Sequence, residues 1–203
     1  MTGDWLRYEK IYSENGKKII CGIDEAGRGP LAGPVYAATV ILPKGIVIDG
    51  VDDSKKLSEK NRDYLFEIIK EKALCYCVSF ASVEEIEMLN ILNATFLAMK
   101  RAVEGLKIKP DFALIDGNIC PDLKISAKAI IKGDSLSESI ACASILAKVT
   151  RDRFMAEEAE KYPEYKFEKH KGYGTKLHVE MIRKYGVSPM HRKTFLKKIL
   201  KHE

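Results

Sequence analysis

The sequence has no long apolar run and no visible targeting pattern. None of its apolar stretches approaches the ~20 residues that a membrane-spanning helix needs. The first 18 residues are polar and mixed in charge, without the apolar core of a secretory signal. Internal repeats and low-complexity linkers are also missing. These absences argue against a membrane protein and favour a cytoplasmic one.

Cysteine is scarce and is not arranged for disulfide or zinc chemistry. The cysteines are Cys21, Cys75, Cys77, Cys120 and Cys142. Their number is odd, no Cys-x-x-Cys pair occurs, and no His and Cys residues have zinc-ligand spacing. We therefore expect free, mostly buried thiols in a reducing compartment.

Charge is distributed unevenly along the 203 residues, whose net charge is +5. Residues 161–203 hold 12 Lys and Arg against 4 Asp and Glu, which is +8, whereas residues 1–160 hold 22 against 25, which is −3. A concentrated positive segment on a slightly acidic body favours a polyanionic partner. A merely solvated basic tail is the alternative interpretation.

Hydrophobic periodicity predicts an α/β fold. Runs rich in apolar and β-branched residues predict five strands, at residues 19–23, 35–42, 73–81, 112–115 and 127–131. Helical spacing predicts helices over about 58–72, 90–106 and 135–161, with a short helix opening at Ser82 and two basic helices at the C-terminal end. We expect a catalytic domain at 1–160, with a five-stranded mixed sheet flanked by helices. Residues 161–203 would form a basic helical extension packed on the same domain.

Several helix starts are predicted from capping residues. Ser82 with Glu85, and Ser135 with Glu138, have the spacing of capping boxes. Ser58, Thr175 and Ser188 are further predicted N-caps, the last two for the basic C-terminal helices.

Acidic residues follow three of the predicted strands at the point where each leaves the core. They are Asp24, Glu25, Asp116 and Asp134. If the strands are neighbours, these carboxylates converge and repel one another, and a divalent metal relieves that repulsion. Hard oxygen ligands select Mg²⁺ or Mn²⁺. Taken singly, each acid is more often a turn former or a helix cap than a metal ligand.

Two such metals would support in-line hydrolysis of a phosphodiester. Adjacent residues of a strand point to opposite faces, so Asp24 and Glu25 can share a metal site only if the strand ends or twists between them. The following Ala26-Gly27 permits this.

A glycine-rich loop comes directly after the first acids, with the sequence Gly27-Arg28-Gly29-Pro30. Glycines expose backbone N–H and C=O groups and allow another chain to approach closely. The guanidinium of Arg28 is suited to phosphate. A simple tight turn is the alternative interpretation of the loop.

A series of motifs resembles the ribonuclease HII family. The segments are 22–35, which contains Asp24-Glu25-Ala26-Gly27-Arg28-Gly29, then Asp53-Ser54-Lys55-Lys56-Leu57, 89–95, 114–118, 132–135, 139–152, His170-Lys171-Gly172-Tyr173-Gly174-Thr175 and 191–195. They run in the family's order from about Ile19 to Phe195. Cys142 and Thr39 depart from the family's usual alanine, but both are small.

The resemblance implies a ribonuclease H-like fold and an endonuclease that cuts the RNA strand of RNA–DNA hybrids. It also implies cutting 5′ of a single ribonucleotide in duplex DNA, with 5′-phosphate and 3′-hydroxyl ends and two bound Mg²⁺ or Mn²⁺ ions. Asp24, Glu25, Asp116 and Asp134 become the metal ligands. Gly27, Arg28 and Gly29 read the ribose 2′-OH, the group that separates RNA from DNA, and Tyr173 packs on the sugar.

Further residues have candidate roles in binding, and two other functions share some of these features. Lys55 and Lys56 are expected to contact phosphate, with a solvated surface pair as the alternative. His170 is expected to contact substrate because it flanks Tyr173. A non-catalytic hybrid-binding protein would share the basic tail but does not need the acids, and a DNA-only nuclease such as a junction resolvase has no use for a 2′-OH reader. A stand-alone monomer is expected.

Overall fold

The computed structural model describes residues 4–200, and the side chains of residues 4–197. Five strands form one sheet in the order β3-β2-β1-β4-β5. The strands are β1 Ile20–Ala26, β2 Val35–Ile41, β3 Cys75–Ala81, β4 Phe112–Asp116 and β5 Ser126–Ile130. β1, β2 and β3 pair antiparallel, and β4 and β5 run parallel to β1. The predicted five-stranded mixed sheet is therefore confirmed.

Helices flank this sheet and continue beyond it. They are α1 Arg7–Glu14, α2 Glu59–Lys72, α3 Val83–Glu104, α4 Glu138–Lys161, α5 Phe167–His170, α6 Lys176–Tyr185 and α7 Lys193–Leu200. Short 3₁₀ turns occupy Gly133–Ser135 and Pro163–Tyr165. No helix in the described part of the chain is both long and apolar enough to cross a membrane.

The core has one layer on each face of the sheet. Side chains of α3 pack on one face, around Ile23 and Ile115, and those of α2 and α4 pack on the other, around Val40. Every residue of β2 is buried, as expected of a strand covered on both faces. A Cβ on Gly22 would lie 2.1 Å from the carbonyl carbon of Ser139, so α4 rests directly on β1.

Capping predictions had mixed outcomes. Ser82 and Glu85 form the predicted capping box, and the hydroxyls of Ser58 and Thr175 accept from N–H groups of the first turns of α2 and α6. The box predicted at Ser135 is wrong. Ser137 caps α4 instead, because Ser135 is part of the preceding 3₁₀ turn.

The Ser188 prediction is also wrong. α7 begins at Lys193, and the hydroxyl of Ser188 lies 2.8 Å from Nδ1 of His191. Glu87 of α3 supplies the capping group for this helix, since its carboxylate accepts from the N–H of Thr194 at 3.2 Å. The predicted extension of residues 161–203 ends outside the described residues.

The N-terminal helix α1 was not predicted. Its sequence is polar, and none of its residues is fully buried. Its anchor is Glu9, whose Oε1 accepts from the hydroxyls of Ser137 at 2.6 Å and Ser139 at 2.7 Å. This contact ties α1 to the start of α4.

Candidate active site

Three carboxylates converge at one edge of the sheet. Asp24 lies in β1, Asp116 ends the neighbouring parallel strand β4, and Asp134 lies in the 3₁₀ turn before α4. One carboxylate oxygen from each lies within 4.8 Å of the others. Parallel pairing of β1 with β4 places these strand ends together, so the backbone topology builds the cluster.

The protein holds these acids together against their mutual repulsion. Burial, followed by the charges of Glu25 and Asp116, raises the pKa of Asp24 well above its usual value. Burial and the charge of Asp134 raise the pKa of Asp116. The Gly133 N–H donates to Asp116 Oδ1 at 2.7 Å and fixes that side chain. Crowded, buried oxygen donors fit a hard divalent cation, which would stabilise the charged forms.

Glu25 is adjacent but is not part of this three-acid cluster. Its Oε1 accepts from Nη1 of Arg28 at 3.2 Å. Burial raises the pKa of Glu25, and the charge of Arg28 opposes that effect. The structure thus brings together three of the four predicted metal ligands and pairs the fourth with the glycine-rich loop.

The two predicted phosphate-binding lysines lie in different surroundings. Lys55 is 78% exposed, and its Nζ lies 3.3 Å from Oδ2 of Asp134, at the mouth of the acid cluster. Lys56 instead pairs with Asp52 at 3.1 Å on the surface. Only Lys55 directly adjoins the acids.

The glycine-rich loop and Tyr173 lie side by side. Gly27 is buried, whereas Arg28 and Gly29 are exposed. A Cβ on Gly29 would lie 4.0 Å from Cε1 of Tyr173, whose side chain is 42% exposed. The Nζ of Lys148 lies 5.7 Å from the centre of the tyrosine ring. The loop and an aromatic face therefore share one exposed surface, and the cation beside the ring is partly buried and paired with Asp152 at 2.7 Å.

His170 is buried inside the C-terminal segment. Its Nε2 lies 2.9 Å from the carbonyl oxygen of Tyr165, and its Nδ1 accepts from the Gly172 N–H at 3.2 Å. The ring also stacks on His178 at 4.3 Å between centroids. Both ring nitrogens are thus occupied by backbone groups, so the structure places His170 behind Tyr173 rather than at the exposed surface.

Two buried arginines were missed by the sequence reasoning. Arg151 of α4 donates to the carbonyls of Ala32, Pro34 and Lys171. Arg192, just before α7, donates to four carbonyls of the 27–33 segment. The one sequence signal for the burial of Arg151 was its position on the apolar face of α4. Arg192 gave no such signal, because its partners are 159 to 165 residues away along the chain.

Comparison of the fold gives the class of protein. The crystal structure of ribonuclease H2 from Pyrococcus horikoshii matches with a TM-score of 0.75, at 28% sequence identity, and the match covers 91% of this chain and 98% of that one. The mixed sheet with carboxylates at its strand ends is that of a ribonuclease H-type enzyme.

Comparison of the sequence gives the particular family. The family model for ribonuclease HII matches residues 21–198. The ribonuclease HII of Caldicellulosiruptor saccharolyticus is 54% identical over 198 residues, covering 98% of this chain and 97% of that protein. The ribonuclease HII of Clostridioides difficile is 58% identical over 193 residues, covering 95% and 76%. The chain belongs to the ribonuclease HII family, a family of divalent-metal-dependent endonucleases that act on the RNA of RNA–DNA hybrids.

Proposed function

We propose that this ribonuclease cuts the RNA strand of hybrids and also cuts 5′ of a single ribonucleotide embedded in duplex DNA, leaving 5′-phosphate and 3′-hydroxyl ends. The observation that carries the proposal is the position of a buried three-acid cluster beside an exposed glycine-rich loop and Tyr173. Acids alone would serve any metal nuclease. The adjacent glycine-rich loop and Tyr173 would give specificity for a ribonucleotide.

Asp24, Asp116 and Asp134 are the proposed metal ligands, and Glu25 would be the fourth, in place of its contact with Arg28. Two divalent cations, Mg²⁺ or Mn²⁺, would activate the attacking water and stabilise the leaving 3′ oxygen. Neighbouring residues of this chain fix the positions of the carboxylates that would bind these cations. The Gly133 N–H orients Asp116, and Asp24 is immobilised in β1.

The loop Gly27-Arg28-Gly29 is the proposed reader of the ribose 2′-OH, and Tyr173 packs against the same sugar. The 2′-OH both donates and accepts a hydrogen bond, so a backbone loop offers it suitable partners. Because Gly29 lacks a side chain, the sugar can approach the peptide closely.

Binding to the duplex is proposed to depend on positive charge. Lys55 contributes a phosphate contact at the mouth of the acid cluster, Lys56 contributes a weaker one nearby, and the basic 161–203 extension adds a sequence-independent attraction. We propose that the protein works as a monomer in the cytoplasm. All five cysteines are free thiols, in keeping with a reducing compartment.

The test uses three labelled duplexes of identical sequence: all-DNA, DNA with one ribonucleotide, and an RNA–DNA hybrid. Each is incubated with Mg²⁺, with Mn²⁺ or with EDTA. We expect metal-dependent cutting of the hybrid and a single cut 5′ of the lone ribonucleotide, with the all-DNA duplex intact. Cutting of all three would exclude the 2′-OH reader, and binding without any cutting would indicate a hybrid-binding protein.

A further inference from the structure

The exposed tip of the glycine-rich loop is held from behind by one buried side chain. The guanidinium of Arg192 donates to four carbonyl oxygens of the loop: Gly27 at 2.6 Å, Arg28 at 2.9 Å, Pro30 at 2.9 Å and Gly33 at 2.8 Å. Arg192 is fully buried, and no carboxylate of a described residue lies within salt-bridge distance of it. The carbonyl dipoles, together with the Phe195 ring 5.2 Å from the guanidinium carbon, therefore compensate this buried charge.

Planarity of the peptide turns these contacts into an orientation for the loop. In a trans peptide, the C=O of one residue and the N–H of the next point in opposite directions, and no cis peptide occurs in the described chain. Because the Gly27 and Arg28 carbonyls point inward to Arg192, the N–H groups of Arg28 and Gly29 point outward. Within residues 4–200, neither of these two N–H groups donates to another protein group.

We propose that Arg192 is the positioning residue of the ribose-reading loop, since it holds the Gly27 and Arg28 carbonyls inward and thereby aims the N–H groups of Arg28 and Gly29 at the sugar. The inference rests on the proposed function of the loop. It assigns to the C-terminal segment a role in substrate discrimination in addition to its positive charge.

Backbone pairing sets Arg192 in register with the loop. The Arg192 N–H donates to the Leu31 carbonyl and the Gly33 N–H donates to the Met190 carbonyl, both at 2.8 Å. Ala32 forms a bridge with His191 between these two bonds. The segment around residue 191 therefore acts as a short strand beside the loop, and its arginine reaches under the turn.

Lysine cannot reproduce this arrangement. The guanidinium has five N–H donors in a rigid plane, whereas an ammonium has three donors on one atom at the end of a flexible stem. Carbonyls approached by Nε, Nη1 and Nη2 from different sides of the plane would lose part of their hydrogen bonding in Arg192→Lys. The loop would keep its sequence and lose its fixed orientation.

Arg151 provides a matched control. It is equally buried and donates to three carbonyls, those of Ala32, Pro34 and Lys171, but it does not contact the Gly27 or Arg28 carbonyl. Arg151 also packs against Gly27 and lies 5.9 Å from the centre of the Tyr173 ring. Arg151→Lys should therefore disturb packing around the loop at least as much, without releasing the two carbonyls that Arg192 holds.

The experiment measures two constants for the wild-type protein, R192K and R151K. One is kcat/KM on the duplex with a single ribonucleotide. The other is the inhibition constant of the all-DNA duplex as a competitor, which reports binding that is independent of the 2′-OH. We expect R192K to lower kcat/KM by about 10²-fold, because misplacing a reacting group by about 1 Å costs that much. Its inhibition constant should change less than about 2-fold, and R151K should keep more of the wild-type kcat/KM.

If kcat/KM falls equally in R192K and R151K, Arg192 has only a general structural role and the inference is overturned. The same holds if R192K weakens binding of the all-DNA competitor as much as it lowers kcat/KM. If the wild-type protein cuts the all-DNA duplex, the loop does not read the 2′-OH and the proposed function fails instead.

A second measurement does not depend on how R192K folds. Amide hydrogen exchange of the wild-type protein should be fast at Arg28 and Gly29 and slow at Leu31 and Gly33, whose N–H groups donate to the Gly172 and Met190 carbonyls. Slow exchange at Arg28 and Gly29 in the substrate-free protein would mean that their N–H groups point inward, and would overturn the inference.

Discussion

Asp134 shows what a single carboxylate contributes at this site. Its side chain is buried, shares the acid cluster with Asp24 and Asp116, and lies 3.3 Å from the Lys55 ammonium. The carboxylate contributes to the site through its charge and not through the volume that it fills. A substitution that keeps the shape and removes the charge therefore separates catalysis from folding.

Asp134→Asn should fold and bind the hybrid but lose cleavage by about 10³-fold, or about 4 kcal/mol of transition-state stabilisation. Removing one of several repelling charges should leave the metal-free protein no less stable. Thermal unfolding, hybrid binding and cleavage at saturating Mg²⁺ test these points. Asp49→Asn, at an exposed acid, is the control. Wild-type cleavage by D134N at high Mg²⁺ would contradict the assignment.

Tyr173 contributes an exposed aromatic face beside Gly29. Tyr173→Ala should lower kcat/KM at a single ribonucleotide by about 10-fold to 10²-fold, because the sugar loses the surface that orients it. Tyr64→Ala, at a tyrosine that is 67% exposed on α2, should have no such effect. If binding and cleavage fall in proportion in Y173A, the residue is only a contact for the duplex.

Two buried histidines form a chain behind Tyr173, in which His178 contacts the Tyr173 carbonyl and His191 contacts His178. The His178 Nδ1 lies 2.9 Å from the Tyr173 carbonyl, and its Nε2 lies 3.1 Å from the His191 Nε2. Since the carbonyl can only accept, Nδ1 carries the proton in neutral His178, and Nε2 accepts from His191. Burial lowers the pKa of both His178 and His191 to about 4, and the nearby His170 adds to the effect.

These pKa values predict how the histidines affect stability. Each pKa lies below the ordinary value of about 6.5, so the contribution is fully present above pH 6.5 and is lost as the pH falls toward 4. Each histidine changes the free energy of unfolding by up to about 1.4 kcal/mol per pH unit in that window. NMR of the imidazole nitrogens should show His178 and His191 neutral at pH 5.5. Midpoints near 6.5 in the folded protein would contradict the prediction.

Sequence reasoning grouped Asp24, Asp116 and Asp134, which the structure brings together, because their placement follows from strand topology. Each strand end is a local pattern, and parallel neighbours bring such ends together. The burial of His170 and the role of Arg192 could not be predicted in this way. The burial of His170 depends on how residues 165–178 pack around its ring. The role of Arg192 depends on contacts made only after the C-terminal segment folds back onto residues 27–33, and no local pattern encodes those partners.

At the scale of elements, the position of the acid cluster depends on how closely α4 approaches β1. Gly22 permits that contact, because a Cβ there would lie 2.1 to 2.4 Å from backbone atoms of Ser139 and Ile140. Backbone atoms cannot rotate away as a side chain can. The strand that carries Asp24 is therefore fixed against the start of the helix that follows Asp134.

Gly22→Ala should lower the free energy of unfolding by about 1–3 kcal/mol, the usual cost of overpacking, or more if the helix cannot shift. Activity should also fall, since moving α4 displaces Asp134 relative to Asp24. Chemical denaturation checks the stability. Gly29→Ala, where the new Cβ would meet nothing closer than Tyr173 at 4.0 Å, is the control for stability. An unchanged denaturation midpoint in G22A would show that α4 can shift away from β1 without a loss of stability.

Elements with strong local patterns were predicted, and those held by distant contacts were not. Four of the five strands are mainly apolar runs, and the capping residues Ser58, Ser82 and Thr175 act within one turn. Helix α1 lacks a buried face and depends on Glu9 reaching α4, about 130 residues away. The start of α7 depends likewise on Glu87 from α3. Propensity is a weak guide where tertiary contacts decide.

At the scale of the whole molecule, the charge distribution matches a polyanionic duplex. The net charge of +5 comes from the +8 of residues 161–203, and Lys55 stands at the mouth of an otherwise acidic site. Positive charges that neutralise phosphates release counterions from the duplex. Affinity for any duplex should therefore fall steeply with salt, whether or not the duplex contains a ribonucleotide.

We expect the logarithm of the binding constant to fall linearly with the logarithm of salt concentration, with a slope of about −0.9 for each phosphate contacted. Lys55→Ala should reduce the magnitude of the slope by about 1. Lys70→Ala, at a lysine paired with Glu67 on α2, should leave it unchanged. Fluorescence anisotropy with the all-DNA duplex from 50 to 200 mM salt, roughly the range over which such contacts are resolved, provides the measurement. A flat response would leave the positive segment without a role in binding and would place the affinity in uncharged contacts to the duplex.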